Sequence, residues 1–408
     1  MWGCLVPLSP GCTDLDDARI TFLLRHPRES LNSQDTLPHS QKAPFVHPMS
    51  MTMSKLAHNI LSQPESCAAI LNWLSGSGQE ALLEAAARLR SGKRVLITGI
   101  GASQYASFPL EYALCAHGIE AVVIEAGELL HYRHPAYRDA VVLIVSRSGE
   151  SIEIAKLLQL LKGRQTIIGV TNEPDSLLAK TADCPLLIGS LCDEMVAIQT
   201  YTGTLLVLYL LGGAIGRQFE VALDQARSIQ PAFARVIAEN MDAIKEWDPF
   251  LDPMHPICLL ARGPSCASAL EGALLFNEIA KIPAVGLPVA SFRHGPVEVV
   301  DEAFRGIIFA PQGPTREMTL SLGRDLIRFG GRICVIGPGP GLAGSHPALE
   351  VPAVQDSLAP LFEVVPIQVA ALRMAQLRGI APGSFRYTAQ VARDEASFGQ
   401  VIAGPATR

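Results

Sequence analysis

From Val95 onward the chain alternates between two hydrophobic rhythms. Short uninterrupted apolar runs fall at Val95–Gly99, Ala121–Ile124, Ala140–Val145, Thr166–Val170 and Cys184–Ile188, with helical patterns between most of them. Apolar strands without polar alternation belong to a sheet buried on both faces. Strand–helix alternation predicts right-handed crossovers and a parallel sheet. After Asp248 the rhythm restarts, with runs at Pro256–Ala261, Ala284–Val289, Gly306–Ala310 and Arg332–Ile336 and a candidate fifth strand at Phe362–Val365. The segments VLITGIGASQYASFPLEYAL and ICLLARGPSCASALEGALLF share one plan: strand, Gly turn, Ser, then a helix containing Glu. This internal duplication predicts an α/β protein of two tandem, doubly wound, parallel-sheet domains. Residues 217–247, with Ala and Ile at helical spacing, read as the helix joining them.

The remaining segments complete the plan. Residues 54–90 hold two amphipathic stretches split by Ser-Gly-Ser-Gly, with Gly92 as a stop, and read as a helical arm. Residues 1–53 read as a disordered or non-native extension, because the first 48 are proline-punctuated without sustained period and Met49, Met51 and Met53 are candidate natural starts. The first domain is assigned to 91–235, the second to 236–390, and a tail to 391–408.

Composition sharpens this picture. Of 408 residues, 49% are hydrophobic and only 18% charged, and mean hydropathy is +0.26, so the chain can bury a large core and is not disordered as a whole. The net charge of −6 supplies no bulk basic surface, which excludes general nucleic-acid binding. Nine Cys lie scattered without a CxxC pair; zinc-ribbon and thioredoxin-like readings lose support, and reduced thiols in the cytoplasm fit. The stretch Ala197–Gly216 is long enough to span a bilayer, yet Gln199 and its Thr and Gly residues make it a buried core helix, not a membrane segment.

Four constellations carry chemistry. Gly99-Ile100-Gly101-Ala102-Ser103 ends a strand and opens a helix, where backbone N–H groups can approach an anion. It is not a dinucleotide fingerprint, since Gln104 stands where the third Gly belongs. Ser146-Arg147-Ser148-Gly149-Glu150-Ser151 follows a buried strand; its hydroxyls and free N–H groups form a metal-free phosphate cradle at a strand's carboxyl end, and Ser148 or Ser151 can also cap the next helix. Glu271 and Glu278, seven residues apart, share one helix face. Glu271 reads as solvated, whereas Glu278 has apolar neighbours that raise a carboxylate's pKa and fit it to act as a base. His294, in Phe292-Arg293-His294-Gly295-Pro296, sits on a loop after a strand.

In this order the four pieces resemble the sugar isomerase (SIS) domain family in its tandem form, over roughly residues 54–395. The pattern is similar to the isomerase half of glucosamine-6-phosphate synthase, to hexosamine-6-phosphate deaminases and to fructosamine-phosphate deglycases. The segments SRSGES, GVTNEPDSLLAKTAD, EMVAIQTYTG and ALEGALLFNEIAKIPAVGLPVASFRHGP carry the resemblance. It implies flavodoxin-like domains and a sugar-phosphate substrate whose phosphate is held by Ser103, Ser146, Arg147, Ser148 and Ser151. It also draws Gly101, Ala102, Gln199 and Thr200 into the substrate site. Glu278 matches the enolising base and His294 the ring-opening histidine, which in relatives reaches the neighbouring subunit's site and so implies a homodimer. No amidotransferase domain precedes residue 54, so glutamine-dependent amination is not expected. Two departures concern lysines: Leu275 stands at one family position, and Gln390-Val391-Ala392 replaces the segment whose Lys forms a Schiff base. Lys281 has no assigned role as their substitute. The expected activity is a metal- and cofactor-independent isomerisation or deamination of a hexose- or hexosamine-6-phosphate. The alternative is a non-catalytic phosphosugar sensor.

Overall fold

The apolar runs form two five-stranded parallel sheets. The computed structural model describes residues 53–193, 195–346, 349–387 and 391–395; the expected N-terminal extension before Met53, Gln390 and the tail beyond Glu395 lie outside the described residues. The first sheet holds β1 (Arg94–Gly99), β2 (Glu120–Glu125), β3 (Val141–Val145), β4 (Ile167–Thr171) and β5 (Cys184–Leu187) in the order β2-β1-β3-β4-β5. The second holds β6 (Ile257–Ala261), β7 (Ala284–Pro288), β8 (Arg305–Phe309), β9 (Arg332–Gly337) and β10 (Leu349–Glu350) in the order β10-β9-β8-β6-β7. Renumbered within its domain, the second order is the first. Both are parallel throughout, as the registers Val95↔Val141 and Ile257↔Arg305 exemplify. In both, the winding direction reverses between the first and third strands, where open α/β sheets leave a crevice at their carboxyl edge. Strands β4, β6 and β8 are buried at every position, as continuous apolar runs require.

Two long helices form the interior layer. Helix Gln199–Ile215 is buried nearly all round and packs on helices Gln63–Leu74, Gln79–Ser91 and Phe108–Ala116. It is therefore a core helix. No helix among the described residues is long and apolar enough to cross a membrane. Helix Ala359–Leu377 plays the same part in the second domain, against helices Cys266–Leu275 and Gln230–Asp242. It contains Phe362–Val365, which corrects the expectation of a strand there; the fifth strand is the short β10 instead. The error has a physical source: a helix apolar on all sides shows no 3.6-residue period, so a short piece of it looks like a buried strand.

Proline shapes the connections. The single joining helix expected over 217–247 is two helices, Phe219–Ser228 and Gln230–Asp242, followed by a 3₁₀ turn. Pro231 stands in the first turn of the second, where its missing N–H leaves no bond unmade. Pro64 divides the arm in the same way, into Lys55–Leu61 and Gln63–Leu74, ahead of Gln79–Ser91. The arm is not an appendage: Gln63 and Gln368 exchange amide hydrogen bonds of 2.8 and 3.2 Å inside the core.

One buried carboxylate is held in the second domain. Glu363, fully enclosed, accepts hydrogen bonds from Ser265 (2.8 Å) and Ser268 (2.6 Å). Burial raises its pKa from 4.5 to about 7, against the opposing hydroxyl bonds. The folded state therefore keeps a proton that the unfolded chain releases above 4.5. Stability from this group is complete below 4.5 and is lost as pH rises to about 7, by up to about 3 kcal/mol. Glu363→Gln should flatten the fall in melting temperature over that window; thermal melts across pH would show it.

Candidate active site

Two turns meet at the crevice of the first sheet. After β1 the chain passes through Gly101, whose φ of 54° and ψ of −127° suit only glycine, into the short helix Ala102–Tyr105. After β3 it forms the Ser146–Ser151 turn and enters helix Ile152–Leu161. The second turn is braced from within and from behind. Ser146 Oγ accepts from the Gly149 N–H (3.1 Å), and Ser148 Oγ from the Glu150 N–H (3.3 Å). Thr171 and Asn172, at the end of β4, both donate to the Arg147 carbonyl. Gly149 has φ 64°, and a Cβ on it would collide with the Ser176 hydroxyl. Ser151 takes the N-cap position of the helix but its hydroxyl makes no capping bond, which leaves it open to a ligand.

A cavity of about 370 Å³ lies between these turns. Gly101, Ala102, Ser103, Ser146, Arg147, Ser148 and Ser151 line it, together with Leu274 and Glu278 from the second domain. The sequence-assigned phosphate residues and the assigned base thus come together in one pocket. Arg147 reaches across it to donate to the Met195 carbonyl at 3.3 Å.

Glu278 reaches this wall through an irregularity. Helix Cys266–Leu275 does not continue as an α-helix; it passes into a π-turn, Phe276–Ala280, ended by Lys281 in the left-handed conformation. Wider turns of this kind recur at functional sites because they re-aim side chains. Asn277 ties the turn to β7 by accepting from the Ala284 N–H (3.0 Å) and donating to the Ala284 carbonyl (3.3 Å). Burial lifts the Glu278 pKa from 4.5 to about 7, with Lys281 and Arg147 pulling it down. Such a carboxylate is divided between base and acid forms near neutrality.

Glu271 is buried at 1% exposure, which corrects its reading as solvated. Its Oε2 has no hydrogen-bond partner, and burial, then Glu278 and Asp193, push its pKa well up. Its helix packs on Ala102–Tyr105 of the first domain and is closed off from solvent there, a contact that seven-residue spacing could not disclose.

Other assigned residues lie apart. Gln199 is buried outside the cavity lining, with Oε1 unpartnered. Thr200 lines an adjoining cavity of about 350 Å³ that shares Arg147 and Ser148, and its hydroxyl is spent on Asp193 at 2.6 Å. His294 ends the short helix Val289–Arg293, is exposed, and does not line the cavity of its own chain. Leu275 is wholly buried.

Three contributors escaped the sequence reading. Asp193 caps the core helix, accepting from the N–H groups of Ile198, Gln199 and Thr200; an acid shortly before an apolar helical run was its signal. Phe385 lines the cavity, and Lys281 sits 5.7 Å over its ring while donating to the carbonyls of Glu278 and Ser384. The C-terminal segment then crosses to the first domain. The Ala392 carbonyl accepts from the Ile152 N–H at 3.1 Å, and Glu395 pairs with His131 and Lys156. No local pattern encodes these long-range contacts.

Residues 88–212 and 251–378 match the SIS domain family. The chain belongs to this family. Among SIS relatives, it is 28% identical over 357 residues to the glutamine–fructose-6-phosphate aminotransferase (isomerizing) of Pyrococcus horikoshii, covering 86% of this chain and 58% of that one. The chain spans about half the length of the curated relatives it matches. In fold, this SIS protein is similar to the C-terminal domain of the Francisella tularensis glucosamine-fructose-6-phosphate aminotransferase (TM-score 0.70, 20% identity, 82% of this chain, 98% of that one). It is also similar to Escherichia coli tagatose-6-phosphate ketose/aldose isomerase (TM-score 0.69, 19% identity, 81% and 94% covered).

Because Gly149 combines positive φ with a blocked Cβ position, Gly149→Ala should lower stability by about 1–3 kcal/mol. Urea denaturation gives the number; an unchanged midpoint would show that the turn relaxes freely.

Proposed function

We propose that this SIS protein is a phosphosugar isomerase or deaminase of the cytoplasm, acting on a hexose- or hexosamine-6-phosphate by ring opening and proton transfer between C1 and C2. One observation carries the reading: a hydroxyl-rich turn and a carboxylate titrating at about 7 face the same 370 Å³ cavity. The phosphate sits against Ser103 and the Ser146–Ser151 turn, with Arg147 adding positive charge. Anchoring that remote group holds the reacting carbons over Glu278, so binding energy is spent on orientation. Glu278 takes the proton from one carbon as an enediol forms and returns it to the other as the enediol collapses, while solvent protonates the carbonyl oxygen in the first step and takes the proton from the neighbouring hydroxyl in the second. The likeness to a ketose/aldose isomerase fold is consistent with this chemistry.

His294 opens the sugar ring from the partner subunit of a homodimer. Its exposure and its absence from the described lining of its own chain's cavity support that assignment. A second reading, a phosphosugar sensor without turnover, draws on Leu275, an apolar and buried residue where the family carries an amine.

Glu278→Gln should slow exchange of the C2 proton with solvent by about 10²–10⁴-fold while phosphosugar binding persists. Deuterium incorporation followed by NMR, beside thermal shift with a panel of hexose, hexosamine and fructosamine 6-phosphates, separates the readings. Binding without exchange or ammonia release in the unmodified protein would favour the sensor. In an active enzyme kcat/KM should rise with pH through about 7 as Glu278 loses its proton. Mixing His294→Ala and Glu278→Gln chains should restore about a quarter of wild-type activity, since half the dimers are mixed and each holds one intact site. Failure to exceed either variant alone would place His294 outside the partner's site.

A further inference from the structure

The two halves repeat their loops as well as their strand order. Gly101–Ser103 after β1 corresponds to Gly263–Ser265 after β6, and the Ser146–Ser151 turn after β3 corresponds to 310–315 after β8. The candidate active site combines the first domain's loops, the Met195 and Ala197 approach to helix Gln199–Ile215, and Leu274 and Glu278 from the second domain. Exchanging the halves picks out Pro264 in the loop after β6, the Gln355–Ser357 approach to helix Ala359–Leu377, and Tyr112 and Ala116 on the first domain's helix. These residues line another cavity, of about 630 Å³.

Its polarity is reversed. Ala310, Pro311 and Gln312 replace Ser146, Arg147 and Ser148. Ser265, the counterpart of Ser103, donates its hydroxyl to Glu363, whereas Ser103 makes no side-chain hydrogen bond among the described residues. Gly313, the counterpart of Gly149, lies against a carboxylate: a Cβ on it would stand 2.7 Å from Asp356 Oδ1. The counterpart of the anion cradle, residues 310–315, is not part of the described lining of this cavity; the protein's own acid, Asp356, stands beside that loop and lines the cavity itself. Asp356 is half-buried and makes no hydrogen bond or ion pair among the described residues. No Lys or Arg is among the described residues lining this cavity. Asp356 disfavours a phosphate there and favours a cation, with His117 the one basic side chain of the described lining. Tyr112 and Tyr209 also line it, and aromatic rings attract ammonium groups placed over their faces. Gln225 accepts from Tyr209 (2.7 Å) and Gln355 (3.0 Å), which sets a fixed polar wall.

We propose that this second cavity binds a small, unphosphorylated ligand carrying a protonated amine, with Asp356 as its counter-charge. The assignment stands independently of the activity proposed above. Glucosamine is the probe, added at millimolar concentration to the full chain and followed by ligand-observed NMR and calorimetry. Binding should persist with glucose 6-phosphate present and weaken about tenfold in Asp356→Asn, as loss of one charge-assisted contact requires. Val221→Lys, at an exposed position of the lining, should weaken it similarly and serves if the first variant misfolds. N-acetylglucosamine, with the same ring and no cation, should bind about tenfold less tightly. No binding, displacement by glucose 6-phosphate, equal affinity for the acetylated sugar, or indifference to both substitutions would each overturn the proposal.

Discussion

Burying both faces of two parallel sheets is the constraint on which everything else in this protein rests. With β4, β6 and β8 apolar at every position and helices on either side, polar chemistry has no place on the sheet faces. It moves to the carboxyl edges, where strands release their chain into helices and backbone N–H groups point outward. The winding reversal between β1 and β3 opens a gap there, and the Ser turn and Gly turn become its walls. The constraint also explains the second domain's part: its helix Cys266–Leu275 covers the gap and carries Glu278 with it.

The same dryness governs the acids. Glu278, Glu271 and Glu363 all have raised pKa values, and burial is the first cause in each. Their environments separate them. Glu363 has two serine hydroxyls and no opening in the lining of either duplicated cavity. Glu271 is buried with an unpartnered oxygen. Glu278 alone faces the 370 Å³ cavity, close enough to Arg147 and Lys281 for their charges to restrain the shift. One helix and its π-turn thus hold a mute carboxyl and a poised one, seven residues apart.

Duplication supplies the architecture, and divergence has sorted its two crevices. Both halves keep the strand order and a positive-φ glycine after the third strand, Gly149 and Gly313. In the first, hydroxyls and Arg147 surround that glycine's turn; in the second, Asp356 lies against it. A fold that repeats its scaffold need not repeat its ligand, because the edge loops contribute little to the core and can change charge without disturbing the sheets.

Local pattern made the strands, the phosphate turn and the duplication legible, since each depends on neighbours in sequence: apolar runs, Gly and Ser at a strand end, a repeated order. It also singled out Glu278 from the apolar residues beside it. The same logic failed at Phe362–Val365, where a helix buried on every side loses the period that marks a helix, and at Glu271, whose enclosure comes from a helix of the other domain. Phe385 reaches the cavity, Lys281 holds it there and Glu395 docks the C-terminal segment on the first domain through contacts more than a hundred residues apart, and Asp356 meets Gly313 only once the second sheet has closed. The sequence by itself determined which segments pair and where polar edges arise, because hydrogen-bonding period and turn chemistry are local. Only tertiary structure decided which acids are dry, which face a cavity and which charge fills each crevice, because desolvation depends on every element packed around a group.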